Sequence, residues 1–117
     1  MKIIHVDNSD FFRKIVGTFL QKEGFEVESF DSAQEASLAI GGGGADMVIM
    51  GLTFADGGGT DFLDKVVDSY AGPVIVISAS LTDQRKEELI DHGAKAAINK
   101  TGSWQSNLKP HLEMLKG

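Results

Sequence analysis

The chain has 117 residues, 42% of them apolar, no cysteine, a formal net charge of -6 and a pI near 4.9. This length suits one domain, residues 1–117, burying roughly two thirds of the surface its unfolded form exposes. The missing cysteines exclude disulfides, thiolate metal sites and thiol nucleophiles, and the acidic balance without a basic patch argues against direct binding to nucleic acid or anionic membrane.

The first element is the apolar run Lys2 to Val6, too short for a signal peptide or a membrane span, so a soluble cytoplasmic protein is expected. Asp7-Asn8-Ser9-Asp10 closes it with helix-starting residues. Phe12, Ile15, Val16, Phe19 and Leu20 then recur at three- and four-residue steps on one helical stripe, with Gly24 as the stop. Phe25 to Phe30 alternates apolar and acidic residues, as a half-exposed or edge strand does. Ser32-Ala33-Gln34-Glu35 has the form of a capping box, and Ala36, Leu38, Ala39 and Ile40 carry that helix to Gly41-Gly42-Gly43-Gly44. The four glycines make a flexible connection and no domain boundary, because no segment before them is a complete domain.

Met47 to Met50 is a strand buried on both faces, stopping at Gly51 and a glycine-laden turn from Thr53 to Thr60. Thr60 caps a helix carrying Phe62, Leu63, Val66, Val67 and Tyr70 on one side. Pro73 opens a second doubly buried strand, Val74 to Ser78, and Thr82 or Asp83 starts a charged helix through Leu89 and Ile90 to Gly93. Ala94 to Ile98 is a short fifth strand. Ser103 begins a last helix with Trp104, Leu108, Leu112 and Leu115, whose ladder Pro110 interrupts. Strand and helix alternate five times, which calls for an α/β fold: a parallel sheet with right-handed crossovers and helices on both faces.

Several local motifs carry no site. Gly57-Gly58-Gly59-Thr60-Asp61-Phe62 lacks the third glycine of a dinucleotide fingerprint and follows the wrong strand. The Lys-Thr pair in Asn99-Lys100-Thr101-Gly102 lacks the glycine loop that wraps phosphates. His5, His92 and His111 have no metal-ligand spacing, and His5, inside the first strand, is expected to be a buried, hydrogen-bonded core residue. Ser78 is not in a nucleophile elbow. What remains is a set of polar strand ends: Asp7-Asn8, Ser78 and Lys100. Parallel strands bring their carboxyl ends to one edge, where a carboxylate, an amide, a hydroxyl and an ammonium suit a hard cation and a phosphoryl group.

At these residues the chain resembles the receiver domains of bacterial two-component response regulators. Ile3 to Ser9 is similar to the first strand with its acidic pair, Asp46 to Leu52 to the strand bearing the phosphoacceptor aspartate, and Gly59 to Leu63 to the start of the third helix. Pro73 to Ala79 is similar to the strand ending in the switch hydroxyl, and Gly93 to Lys100 to the strand ending in the pocket lysine. The resemblance covers essentially the whole chain and implies a flavodoxin-like, doubly wound sheet in strand order 2-1-3-4-5 with five helices. It makes Asp7 the first acid, Ser78 the switch hydroxyl and Lys100 the lysine. Asn8 stands for the second acid, Gly51 for the phosphoacceptor, Phe54-Ala55 for a common Met-Pro, Ala97 for the aromatic switch residue and Thr101 for a proline. The losses fall on the signalling apparatus while the scaffold stays regular.

With one carboxylate against Lys100, the pocket is expected to pair Asp7 with Lys100 directly, to need no cofactor and to hold Mg²⁺ weakly at most. The leading expectation is therefore a degenerate receiver, a non-enzymatic protein-interaction module working without phosphorylation. Its partners would be signalling proteins, a histidine kinase or a downstream regulator. The resemblance assigns the partner face to the fourth helix, fifth strand and fifth helix, where Arg85, Lys86, Glu87, Glu88, Lys95, Trp104 and Gln105 are candidates, Trp104 foremost because exposed tryptophans anchor interfaces, with packing on the core as its alternative. Two alternatives are phosphotransfer onto a substitute acid, Asp56 or Asp7, and binding of a small ligand in the emptied pocket.

Overall fold

Each apolar run becomes a strand of one parallel sheet, because a strand with side chains buried on both faces needs helices on both. The computed structural model describes residues 1–54 and 59–117. The strands are β1 (Lys2–Val6), β2 (Glu26–Phe30), β3 (Met47–Met50), β4 (Val74–Ser78) and β5 (Ala96–Asn99), in the order β2-β1-β3-β4-β5. All neighbours are parallel; Val6 lies beside Met50, Met50 beside Val76, and Ser78 beside Asn99. This is the flavodoxin-like order that the family resemblance implies.

Five helices connect the strands: α1 (Asp10–Lys22), α2 (Ala33–Gly41), α3 (Thr60–Ser69), α4 (Asp83–Asp91) and α5 (Trp104–Lys116). One face of the sheet is covered by α1 and α5, through Phe12, Val16, Leu20, Trp104, Leu108 and Leu112. The other is covered by α2, α3 and α4, through Ala36, Ile40, Phe62, Leu63, Val66 and Leu89. No helix among the described residues is long and apolar enough to cross a membrane.

Local chemistry fixes most boundaries. Ser9, Ser32 and Thr82 each accept a bond from the amide three residues on, at 3.1, 3.2 and 3.1 Å, and so cap α1, α2 and α4. At the end of α1, Gly24 takes φ +94°, and Phe25 N donates to Leu20 O at 3.0 Å. That turn is open to glycine and strained for other residues.

Three boundaries differ from expectation. Thr60 is the first residue of α3 and not its cap; the cap position is Gly59, and the Thr60 hydroxyl accepts from Arg85 of α4 instead. β5 starts two residues late because Ala94 N closes the end of α4 on Leu89 O and Lys95 N reaches Val74 O at 2.7 Å. α5 runs unbroken through Pro110: the proline is exposed, and Leu108 and Leu112 on either side are fully buried, so packing outweighs one absent ladder bond.

Candidate functional site

The carboxyl ends of β1, β3, β4 and β5 meet at one edge, and they bring together residues far apart in sequence. Asp7, first past β1, is pulled inward: its Oδ1 accepts from Ser9 N at 2.8 Å, and its own carbonyl accepts from Arg13 Nη1 at 2.5 Å. Its side chain is only 3% exposed. Lys100, first past β5, sets its Nζ 2.8 Å from Asp7 Oδ2. The contact is an ion pair without hydrogen-bond alignment, since Oδ2 is otherwise buried with no aligned donor among the described residues. The same ammonium lies 4.5 Å from the centre of the Phe12 ring, a cation–π contact that adds to the pair. Lys100 is thus held on two sides.

Gly51, first past β3, explains how Asp7 fits. A Cβ at this position would lie 2.8 Å from Asp7 Oδ2 and 3.2 Å from its Cγ. Carbon does not approach that closely, so any side chain at position 51 requires the Asp7 carboxylate to move. Gly51 N donates to Val6 O at 2.8 Å, which keeps β3 in register beside β1 and holds the glycine against the acid.

The other expected members are near but less engaged. Asn8 is exposed, and its backbone N donates to Thr53 O at 3.2 Å. Ser78 ends β4 half-buried, its carbonyl accepting from Lys100 N at 3.0 Å. Ala97 is half-buried and packs on the α2 to α4 face, with no aromatic ring at its position. Asp56, with Ala55, Gly57 and Gly58, lies outside the described residues. Of the partner-face candidates, Arg85 and Lys86 are half-buried on α4 and Lys95 is exposed at the foot of β5. Trp104 is a correction: it is 5% exposed, its ring edge-on to Phe12 at 5.4 Å and to Phe19 at 5.3 Å, because the first residue of α5 falls on the stripe that faces the sheet.

His5 is a second correction. It is fully buried as expected, but neither ring nitrogen has a hydrogen-bond partner among the described residues. Burial, opposed in part by the Asp7 carboxylate and reinforced by the Lys100 and Arg13 cations, pushes its pKa down to about 4. The imidazole is therefore neutral at pH 7 and sits edge-on to Phe12 at 6.3 Å.

Sequence reasoning missed two supports. Asn99, the residue before Lys100, accepts from Leu81 N at 2.6 Å and donates to Leu81 O at 3.1 Å, clamping the loop after β4. Its place as a polar strand end next to Lys100 was the available signal. Arg13 had none beyond lying one helical turn past Ser9.

As a metal site the donor set fits poorly. A hard dication needs several oxygen ligands with excess negative charge, whereas among the described residues this edge offers one carboxylate already facing an ammonium, plus an exposed amide. Among the described residues no three His, Cys, Asp or Glu side chains come together.

Comparison with known proteins gives a consistent picture. The family model for the response regulator receiver domain matches residues 3–110. The chain is similar to the KDP operon transcriptional regulatory protein KdpE of Escherichia coli, 27% identical over 113 residues, covering 94% of this chain and 50% of KdpE. It is also similar to the regulatory protein VanRc of Enterococcus gallinarum, 28% identical, covering 85% of this chain and 43% of that protein. The chain spans about half the length of these curated relatives. Among solved structures it superposes on the BeF3-activated receiver domain of Klebsiella pneumoniae RstA with a TM-score of 0.90 at 18% identity, each chain fully covered.

Proposed function

Since the chain belongs to the family of response regulator receiver domains, we propose that it serves a two-component pathway as a protein-interaction module that needs no phosphorylation at position 51. The observation that carries this reading is the Asp7 carboxylate lying 2.8 Å from where a side chain at position 51 would begin, while pairing with Lys100. The carboxylate and the ammonium that would otherwise meet a metal and a phosphoryl group satisfy each other. Breaking such a buried pair by removing one partner costs about 3–5 kcal/mol, so the arrangement resists reopening.

On this reading the protein is a binding partner and not an enzyme, and Mg²⁺ affinity is on the order of millimolar or weaker. Its partners are a histidine kinase or a downstream regulator, met through α4, β5 and α5, where Arg85, Lys86 and Lys95 stand and from which Trp104 is withdrawn. The acidic chain binds no nucleic acid directly. Phosphotransfer onto Asp7 is disfavoured by its burial, because in-line displacement needs an accessible attacking oxygen.

The test is incubation with acetyl phosphate and Mg²⁺, read by intact mass with peptide mapping. The wild-type chain should gain no phosphoryl group, and Gly51→Asp should gain little or none, since Asn8, Ala97 and Thr101 still stand where the second acid, the aromatic switch and the proline would be. A phosphoryl group on Asp7 or Asp56 of the wild type would sink the proposal, as would full Mg²⁺-dependent modification of the variant.

A further inference from the structure

Leu89 is the one buried residue of α4, so the helix has little apolar surface of its own to set where it begins. The loop that leads into it, residues 79–82, carries Leu81 among the core residues of the α2 to α4 layer, 8% exposed. A buried leucine in a loop takes its peptide N–H and C=O out of water, and each costs free energy when unpaired. Asn99, the last residue of β5, meets both: its Oδ1 accepts from Leu81 N at 2.6 Å and its Nδ2 donates to Leu81 O at 3.1 Å. The task suits a planar amide, which sets an acceptor and a donor side by side. Aspartate would lose the donor, and leucine would lose both.

The conformation so held is not one the loop favours alone. Ser80 has φ +57° and is the one non-glycine residue with positive φ among the described residues, a region that costs backbone strain unless the surroundings impose it. Just beyond Leu81, Thr82 starts α4: its Oγ1 accepts from Arg85 N at 3.1 Å and its carbonyl from Lys86 N at 3.0 Å. Asn99 therefore grips the residue before the cap and ties the first turn of α4 to the end of β5. It does so apart from the Asp7–Lys100 pair. Consecutive residues of an extended chain point to opposite faces. Lys100 rests on Phe12 of the α1 and α5 layer, whereas Leu81 belongs to the other layer.

We infer that Asn99 is a latch that holds the loop between β4 and α4 closed, and the start of α4 in one position, without help from the Asp7–Lys100 pair. The inference rests on the reading of a module that needs no phosphorylation and deepens it, because α4 then keeps a fixed position that no event at Asp7, Gly51 or Lys100 sets.

Amide relaxation dispersion by NMR on the full chain, which detects opening on the microsecond to millisecond scale, tests this. The wild type should give flat profiles for residues 79–86. Asn99→Leu, similar in size but without polar atoms, should raise the open population about tenfold and give dispersion there, while α1 and α5 stay flat. Asn99→Asp keeps the acceptor for Leu81 N and should give a smaller rise, a graded response that lost packing would not produce. It also carries the test if Asn99→Leu fails to fold. Asp7→Asn, which breaks the pair with Lys100, should leave the profiles flat. Flat profiles in the Asn99 variants would overturn the inference. So would dispersion at residues 79–86 in the wild type, where the loop would be open already, or in Asp7→Asn, where the pair would be what holds it. Loop opening and phosphoryl gain are separate readouts: phosphorylation with the latch behaving as expected defeats only the earlier reading, and a loop indifferent to Asn99 without phosphorylation defeats only this one.

Discussion

The two helical layers are attached to the sheet by different physics. On the α1 and α5 side, Trp104 locks edge-on between Phe12 and Phe19, and Val16, Leu20, Leu108 and Leu112 are fully buried beneath. On the other side α4 buries one residue, Leu89, and is otherwise positioned by polar contacts. Arg85 donates to Thr60 of α3 at 3.0 Å, His92 Nδ1 lies 2.7 Å from Asp64 Oδ1, and Thr82 caps the helix. Aromatic burial depends little on salt or pH, whereas exposed polar contacts are individually weak and screened. The difference teaches that α4 is the helix least anchored by its own apolar surface, while the Asp7–Lys100 pair belongs to the firm side through Phe12.

The sharpest way to break this contrast is Trp104→Ala. Emptying the space between two aromatic rings and the sheet should cost about 3–5 kcal/mol, measured as the loss of unfolding free energy in urea. A loss below about 1 kcal/mol would make Trp104 a surface residue and restore it to the partner face.

Next in size is the pH dependence of the same layer. His5 has a folded pKa of about 4 against an ordinary 6.5, so between these values the unfolded chain binds the extra proton. Stability is therefore fully present above pH 6.5 and falls as the pH drops toward 4, with a total loss of about 3 kcal/mol. His5→Leu, which removes the titrating group and its two unpartnered nitrogens, should flatten this part of the curve. An equal slope in wild type and variant would show that other groups carry it.

The firm layer was legible in the sequence because its cause is periodic: the stripe from Phe12 to Leu20 and the apolar runs from Met47 and Val74 give both the elements and their buried faces. The convergence of Asp7 and Lys100 was legible for a similar reason, parallel strands sharing one edge. Trp104 had two readings, and its four-residue spacing to Leu108 and Leu112 pointed to the core one, which the ring contacts with Phe12 and Phe19 bear out. The role of Gly51 as space for Asp7 was out of reach, since a close approach between residues on two strands leaves no trace in local spacing. The same holds for the missing partners of His5 and for the bond from Arg85 to Thr60.

That last bond gives the smallest effect and the finest test of the contrast. The Arg85 side chain makes two polar contacts among the described residues, with Thr60 Oγ1 and with Glu88 Oε2 at 3.2 Å, and it is 36% exposed, so water and salt screen much of either. Arg85→Ala should cost at most about 1 kcal/mol of global stability, and in a double-mutant cycle with Thr60→Ala the coupling should be about 0.5 kcal/mol. The amides of α4 should nonetheless exchange with solvent faster while those of α1 and α5 do not, because a helix with one buried residue opens locally when a polar tether is cut. If α4 keeps its protection, or if the global loss approaches that of Trp104→Ala, then burial of Leu89 alone holds the helix and the two layers are not as different as their contacts indicate.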